Sequence, residues 1–337
     1  MTDSLFFNTV VSAILLSAKR AGLWYVPADG GKQRMTPEKI KELKLFANRG
    51  RMYIVKETHE AKSGHPGGSL SSMDLMTYLY NVEMRIDPKN PQDPDRDRFV
   101  LSKGHCAPGL YAALAQKGFF PEEDLMTIRK VGSYLQGHPN MRTTPGVEFS
   151  TGSLGQGFSA ACGMANAAKN VLKKDINVYA LLGDGEIEEG LVWEASEYAA
   201  HYKLDNLCIA VDVNGLQIDG RTKDVMNMEP IDEKFLSFGF NVVKCDGNDY
   251  AELEKAFESF HNAKGSGKPT AILMTTIKGF GVSYMENVAD WHGKGPNDAE
   301  CAQALEELEA VRKRLEAEGP EICTRAETVI EAGKEEE

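Results

Sequence analysis

Two oxygen-bearing residues, Asp184 and Asn214, stand thirty positions apart, each just after an apolar run and beside a glycine. Asp184 lies in Gly183-Asp184-Gly185 after residues 178–182, and Asn214 precedes Gly215 after residues 207–213. A carboxylate and an amide oxygen brought to one point make a hard-oxygen site suited to Mg2+ or Ca2+. Gly183 and Gly185 let the backbone come close to a diphosphate, and a helix N-terminus beyond them favours negative charge. Taken singly, GDG also fits a tight strand-to-helix turn with a capping Asp; Asn214 at a second strand end is what favours the cofactor reading. Four of the seven histidines, His65, His105, His138 and His292, sit in loops marked by Gly or Pro. One loop histidine is ordinarily just solvated, but four in similar contexts are better explained by convergence on one site. A pKa near neutrality suits them to donate to phosphate oxygens or to move protons on hydroxyls. None of their spacings gives the short hairpin of a zinc site. His59, His201 and His261 fall inside helical stretches and read as structural or surface residues.

These residues need elements to position them. Between the two apolar runs, Leu191, Val192, Ala195, Tyr198 and Ala199 share one helical face, which makes the region one βαβ unit. In such units ligands sit beyond the carboxyl ends of the strands. Upstream, Thr36-Pro37 reads as the N-cap and first turn of a helix. That helix ends near the breaker cluster 63–68, expected to be loop. Further helices are expected over 69–84, 108–118, 121–131, 160–172, 250–263 and 299–318, and strands over 99–102, 240–246 and 270–277. The alternation predicts an α/β fold: a doubly wound, mainly parallel sheet with helices on both faces. Gly152, Gly155 and Gly157 come in the wrong order for a dinucleotide fingerprint, with no clear apolar strand before them. Residues 265–268 lack the first Gly and the final Ser or Thr of a P-loop.

The chain of 337 residues is 42% hydrophobic, enough for a sizeable core in one large domain or two smaller ones. A net charge of −12 argues against nucleic acid or an anionic membrane surface as partner. Six scattered Cys without a C-x-x-C pair suit a reducing cytoplasm. The apolar patch 10–16 is too short to span a bilayer and lacks the flanks of a signal peptide, so a helix or a subunit-contact arm is expected there. The organisation expected is an N-terminal extension (1–35), a main domain (36–300), and a C-terminal helix with an acidic tail (301–337).

With GDG and Asn214, four upstream stretches complete a pattern: EAKSGHPGGSLSSMD (60–74), LSKGHCAPGLYAAL (101–114), GHPN (137–140) and TGSLGQG (151–157). Together they resemble transketolase, a thiamine-diphosphate-dependent family, over roughly residues 40–300. The resemblance implies the diphosphate-binding (PP) domain of the thiamine-diphosphate fold. It implies that His65 and His138 bond the donor sugar's oxygens, and that His105, His292 and the Gly185 backbone hold the diphosphate. Asp184, Asn214 and the Leu216 main-chain oxygen would hold Mg2+, with Ca2+ an alternative. Gly155 and Gly183 would lie against the coenzyme. Leu154 and Ile218 would flank its thiazolium ring, ordinary core being their other reading. Glu189 matches the family's interface glutamate linking two coenzyme sites, its other reading being a solvated carboxylate in the run EIEE; Glu194 is family-like without a defined role.

In the family, the glutamate that activates the coenzyme, the aromatic wall for its pyrimidine and the arginines that grip sugar phosphates lie in a downstream domain. Nothing after Gly295 reads as another βαβ domain. The resemblance thus implies the N-terminal subunit of a split transketolase. Its partner would be a C-terminal subunit supplying the pyrimidine-binding domain, two of each forming a heterotetramer. The reaction implied moves a two-carbon ketol unit from a ketose phosphate to an aldose phosphate. The α component of a 2-oxo-acid dehydrogenase shares GDG…N, but SGHPGG and LSKGH speak against it. A deoxyxylulose-phosphate synthase is closer, and a scaffold with a relict site is the non-enzymatic alternative.

Overall fold

The computed structural model describes residues 35–319. Residues 1–34, where the sequence favours a helix or subunit-contact arm, and the acidic end from 320 lie outside the described residues. In chain order the helices are α1 (Pro37–Glu60), α2 (Pro66–Ser71), α3 (Met73–Tyr78), α4 (Ala107–Lys117), α5 (Gln156–Asn166), α6 (Gly190–His201), α7 (Thr222–Val225), α8 (Ile231–Ser237), α9 (Tyr250–Asn262) and α10 (Asp298–Ala317). The strands are β1 (Arg98–Leu101), β2 (Val178–Gly183), β3 (Leu207–Val213), the two-residue β4 (Leu216–Gln217) and β5 (Gly220–Arg221), β6 (Asn241–Asp246) and β7 (Thr270–Thr275). Caps set the helix starts where the sequence puts them. The Thr36 hydroxyl accepts the Lys39 N–H at 3.3 Å, Asp249 accepts the Ala251 N–H at 2.7 Å, and Asn297 with Glu300 forms a capping box.

β1, β2, β3, β7 and β6 lie side by side in that order, all parallel, and β4 pairs with β5 in a separate small antiparallel ladder. This is the doubly wound α/β sheet expected from the sequence. Successive strand residues face opposite sides. Val178, Ala180 and Leu182 therefore join one buried layer with Phe158, Val192 and Phe235, while Tyr179 and Leu181 join another with Leu43 and Phe257. Cys301, Ala304 and Leu308 of α10 enter that second layer. The chain crosses the sheet through β1, β2 and β3, passes to the edge strand β6 and returns to β7 between β3 and β6, and all five carboxyl ends open onto the crevice where ligands bind in such sheets. Among the described residues no helix is long and apolar enough to cross a membrane.

Four local expectations are corrected. The cluster 63–68 is not all loop: α2 begins at Pro66 and takes in Gly67 and Gly68. These glycines serve close approach rather than helix breaking. A Cβ on Gly67 would lie 2.9 Å from the Trp291 carbonyl oxygen, and one on Gly68 would lie 2.8 Å from Cys106 Sγ. Residues 69–84 are not one helix but α2 and α3, closed by a π-type turn over Leu79–Glu83. Residues 121–131 form only a 3-10 turn, Glu122–Thr127, because Thr127 Oγ1 donates back to the Asp124 carbonyl at 2.7 Å and Arg129 turns left-handed at φ +61°. The helix expected from 160 begins earlier, at Gln156, after Gly155 at φ +80°.

Two glycine substitutions separate propensity from packing. Gly163 is exposed on α5 with no atom near its missing Cβ, so Gly163→Ala should stabilise the chain by about 0.5–1 kcal/mol. Gly67→Ala gains the same propensity yet should destabilise by roughly 1–3 kcal/mol, because its Cβ meets backbone. Urea unfolding of the two variants checks both signs.

Candidate functional site

Below the crevice lies a buried ion pair. Asp212 interrupts the apolar strand β3, and its carboxylate accepts from Lys103 Nζ, which follows β1. Neither side chain is more than 2% exposed. Ser71 Oγ donates to Asp212 at 2.7 Å, Asn214 Nδ2 at 3.2 Å, and Thr276 Oγ1 also donates to it. Lys103 Nζ donates further to Ser72 Oγ at 3.1 Å and to the Gly68 carbonyl at 3.3 Å. Burial alone would lower the Lys103 pKa, but Asp212 reverses this and holds it above the usual lysine range. Burial would likewise raise Asp212, yet Lys103 keeps its carboxyl below the usual range.

Above this pair the hard-oxygen groups expected from the sequence come together. Asp184 Oδ2 accepts the Gly215 N–H at 2.6 Å, which ties the GDG turn directly to the residue after Asn214. Asp184 Oδ1 accepts the Gly185 N–H at 2.9 Å, and Asn214 Oδ1 accepts the Leu216 N–H at 3.1 Å. Burial, then the nearby Asp212, raises the Asp184 carboxyl to about 6. Lys278 Nζ donates to the Leu216 carbonyl at 3.2 Å, so the pocket already accommodates one positive charge at that oxygen. Burial, then Lys103, lowers the Lys278 pKa to about 8. Among the described residues no three His, Cys, Asp or Glu side chains gather as a metal site. A cation here would depend on the mixed set of Asp184, the Asn214 amide oxygen and the Leu216 carbonyl, completed by ligand or water oxygens. That chemistry fits Mg2+ or Ca2+.

The four loop histidines converge as expected. Ring centroids are 5.1 Å apart for His65–His105, 5.4 Å for His65–His292, 6.2 Å for His65–His138 and 5.0 Å for His105–His292. Their expected titration near neutrality is corrected. Burial, with Arg129 second, lowers His65 to about 4, and burial, with Lys278 second, lowers His292 to about 3. Burial also lowers His105 well below its usual value, with Lys103 second, and lowers His138, with Arg129 second. All four are neutral at pH 7 in the unliganded chain, each with one N–H to donate. Lys278 Nζ donates to His292 Nδ1 at 3.0 Å, which leaves the ring proton on Nε2. His65 Nδ1 is buried without a protein partner, the kind of atom a ligand satisfies. The other three histidines stay outside: His59 pairs with Asp298, His261 with Glu83, and His201 lies edge-on to Tyr202.

The remaining expected residues divide. The N–H groups of Gly155 and Gly183 both donate to Glu186, at 2.9 and 3.0 Å, so they are not free for an anion. No α-helix starts at the GDG turn either: a 3-10 turn, Glu186–Glu188, intervenes, and α6 begins only at Gly190. Leu154 is half-buried near the site, whereas Ile218 is 65% exposed, which removes the core reading for Ile218. Glu189 and Glu194 are exposed at the start of α6, with no ion-pair partner among the described residues. Four residues escaped the sequence reading: Lys103, Glu186, Asp212 and Lys278. An aspartate inside the apolar strand LCIAVDV was a usable signal, because a carboxylate there needs a buried partner. Lys103→Met should cost roughly 3–5 kcal/mol by stranding Asp212, and adding Asp212→Asn should recover much of that; denaturant titration of the single and double variants measures it.

Comparison with known proteins supplies the context. The profile of the family described as "Transketolase, thiamine diphosphate binding domain" matches residues 43–329. The chain is 40% identical over 279 residues to one of the subunits of the apulose-4-phosphate transketolase of Phocaeicola vulgatus, covering 83% of this chain and 98% of that one. It is 43% identical over 268 residues to a 6-deoxy-6-sulfo-D-fructose transketolase subunit of a Clostridium species, covering 80% and 96%. Among solved structures, the transketolase of Campylobacter jejuni superposes with a TM-score of 0.74 at 34% identity, covering 81% of this chain. This chain spans 45% of that transketolase, about half its length. The strand-end oxygens, the histidine cluster and the matched profile agree: the chain belongs to the transketolase family, carries its thiamine diphosphate binding domain, and aligns nearly end to end with relatives that are named as single subunits.

Proposed function

We propose that this chain is the half of a split transketolase that holds the diphosphate and metal of thiamine diphosphate, a second, C-terminal subunit supplying the pyrimidine-binding half. The observation that carries the reading is the meeting of four neutral imidazoles with Asp184, Asn214 and the Leu216 carbonyl at one sheet edge. Thiamine diphosphate supplies the carbon nucleophile for making and breaking carbon–carbon bonds. Asp184, Asn214 and the Leu216 carbonyl hold Mg2+, or Ca2+ in its place. His105, His292 and Lys278 face the diphosphate, while Gly155, Gly183 and Gly185, whose N–H groups are taken by carboxylates, contribute by having no side chain. His65, with its orphaned Nδ1, and His138 orient sugar hydroxyls. Leu154 and Ile218 cover the reactive ring.

Exposed Ile218, Val225 and Met226 support a partner surface beside the site, as do Glu189 and Glu194, exposed and without an ion pair among the described residues. Two of each subunit would complete a heterotetramer with the coenzyme sites at its interfaces. The relatives named above act on a phosphorylated and a sulfonated sugar. The substrates of this chain are accordingly read as a ketose donor and an aldose acceptor, at least one carrying such an anion. The five described cysteines are buried and unpaired, which supports a cytoplasmic location.

The direct test is ketol transfer by this chain alone, by its partner alone and by the two co-purified. Only the pair should turn over; robust transfer by this chain alone would defeat the proposal. In the assembled pair, Asp184→Ala should weaken Mg2+-dependent coenzyme binding by more than about 100-fold, read by isothermal titration calorimetry; unchanged affinity would remove the metal assignment. His65→Ala and His138→Ala should lower kcat/KM for the donor by roughly 100-fold while coenzyme affinity stays near that of the parent. Equal loss of both quantities would argue against those two roles.

A further inference from the structure

Glu186 opens the 3-10 turn after GDG, and its side chain turns inward and is buried, although the run EIEE looks like a solvated face. One carboxylate oxygen accepts from Ser102 Oγ and from the Gly155 N–H; the other accepts the Gly183 N–H. Ser102 Oγ accepts the Phe158 N–H at 3.0 Å in turn. All three donors to the carboxylate are neutral, and Glu186 has no ion pair among the described residues. Charge pairing is therefore not what holds it there.

Two of the three donors come from distant parts of the chain, Ser102 84 and Gly155 31 residues from Glu186, while Gly183 lies 3 residues away; each sits beside a residue of the site. Ser102 precedes Lys103 and His105, Gly155 follows Leu154, and Gly183 precedes Asp184. The start of α5 has no cap of its own, because its N-cap is Gly155 at φ +80°. Ser102 and Glu186 fill that need from outside the helix, satisfying N–H groups that a helix start leaves unbonded. Gly157 allows the approach: a Cβ there would lie 2.7 Å from Ser102 Cα.

We propose that Glu186 is a positioning residue for the coenzyme site, acting through Ser102, Gly155 and Gly183 to fix the loops that carry His105, Leu154 and Asp184. What those loops hold rests on the proposed function; the clamp itself does not. A glutamine cannot replace the carboxylate, because its NH2 must face either the Gly155 or the Gly183 N–H, both of them donors.

The test uses the full chain with Glu186→Gln and Glu186→Ala, and Glu188→Gln as the neighbouring control. Hydrogen exchange by mass spectrometry should show peptides over 153–158 and 181–186 exchanging about tenfold faster in the Glu186 variants, equivalent to about 1.4 kcal/mol. Peptides of β3 and β7 should match the parent, and Glu188→Gln should match it throughout. In the assembled enzyme, Glu186→Gln should raise the coenzyme Kd about tenfold with kcat at saturating coenzyme within about threefold of the parent. Unchanged exchange at both loops would overturn the proposal. So would uniformly faster exchange that includes β3 and β7 in both variants, since Glu186 would then serve stability in general. If the parent assembly failed to bind coenzyme, the proposed function would fall, while the exchange result would still decide the clamp.

Discussion

Lys103 and Asp212 form a fully buried ion pair directly beneath the strand ends. Taking such charges from water costs several kcal/mol per ion, so a buried pair persists only where its remaining hydrogen-bonding capacity is filled. Here Ser71, Ser72, Thr276, Asn214 and the Gly68 carbonyl fill it. These groups come from α2, the α2–α3 junction and the ends of β7 and β3, so one electrostatic requirement draws four segments to one point. Asn214 has its NH2 committed downward to Asp212, and its oxygen is left on the side of the Leu216 N–H.

The pair also sets the local charge. With Asp212 answered by Lys103, Lys278 stands at the Leu216 carbonyl, where burial, and then Lys103 nearby, takes part of its proton affinity while Asp184 restores some of it. At this edge of a protein of net charge −12, Lys103 and Lys278 thus stand against Asp212 and Asp184, two positive charges facing two carboxylates. The imidazoles around it are neutral because they are half-buried and near like charges. For His292, the Lys278 contact at Nδ1 leaves Nε2–H free to donate when an anionic ligand arrives. The glycines of α2 and the Gly157 contact with Ser102 bring backbone and side chains to the distances this requires.

Much of this is legible in the chain itself. The sheet can be read because most of its strands are apolar runs of four to seven residues, β2 stopping at Gly183-Asp184 and β3 at Asn214-Gly215, and the helix starts because Thr36, Asp249 and Asn297 cap them. Asp184 and Asn214 can be paired because parallel strands put their carboxyl ends on one edge. The misreadings share one cause. Gly67 and Gly68 look like breakers and Glu186 like surface, because local pattern does not reveal what a residue touches after folding.

Sequence by itself determined the strand–helix alternation, the edge on which chemistry occurs, and the oxygen and imidazole donors available there, since each follows from local periodicity, caps and residue type. Only the tertiary structure decided which donors remain free. The amides of Gly155 and Gly183 are consumed by Glu186, the histidines are stripped of their protons by burial, and Lys278 is set against the Leu216 carbonyl. These outcomes depend on groups far apart in the chain, 31 residues for Gly155 and Glu186 and 62 for Leu216 and Lys278, meeting in a medium with little water, where an unmatched charge or N–H is too costly to leave alone.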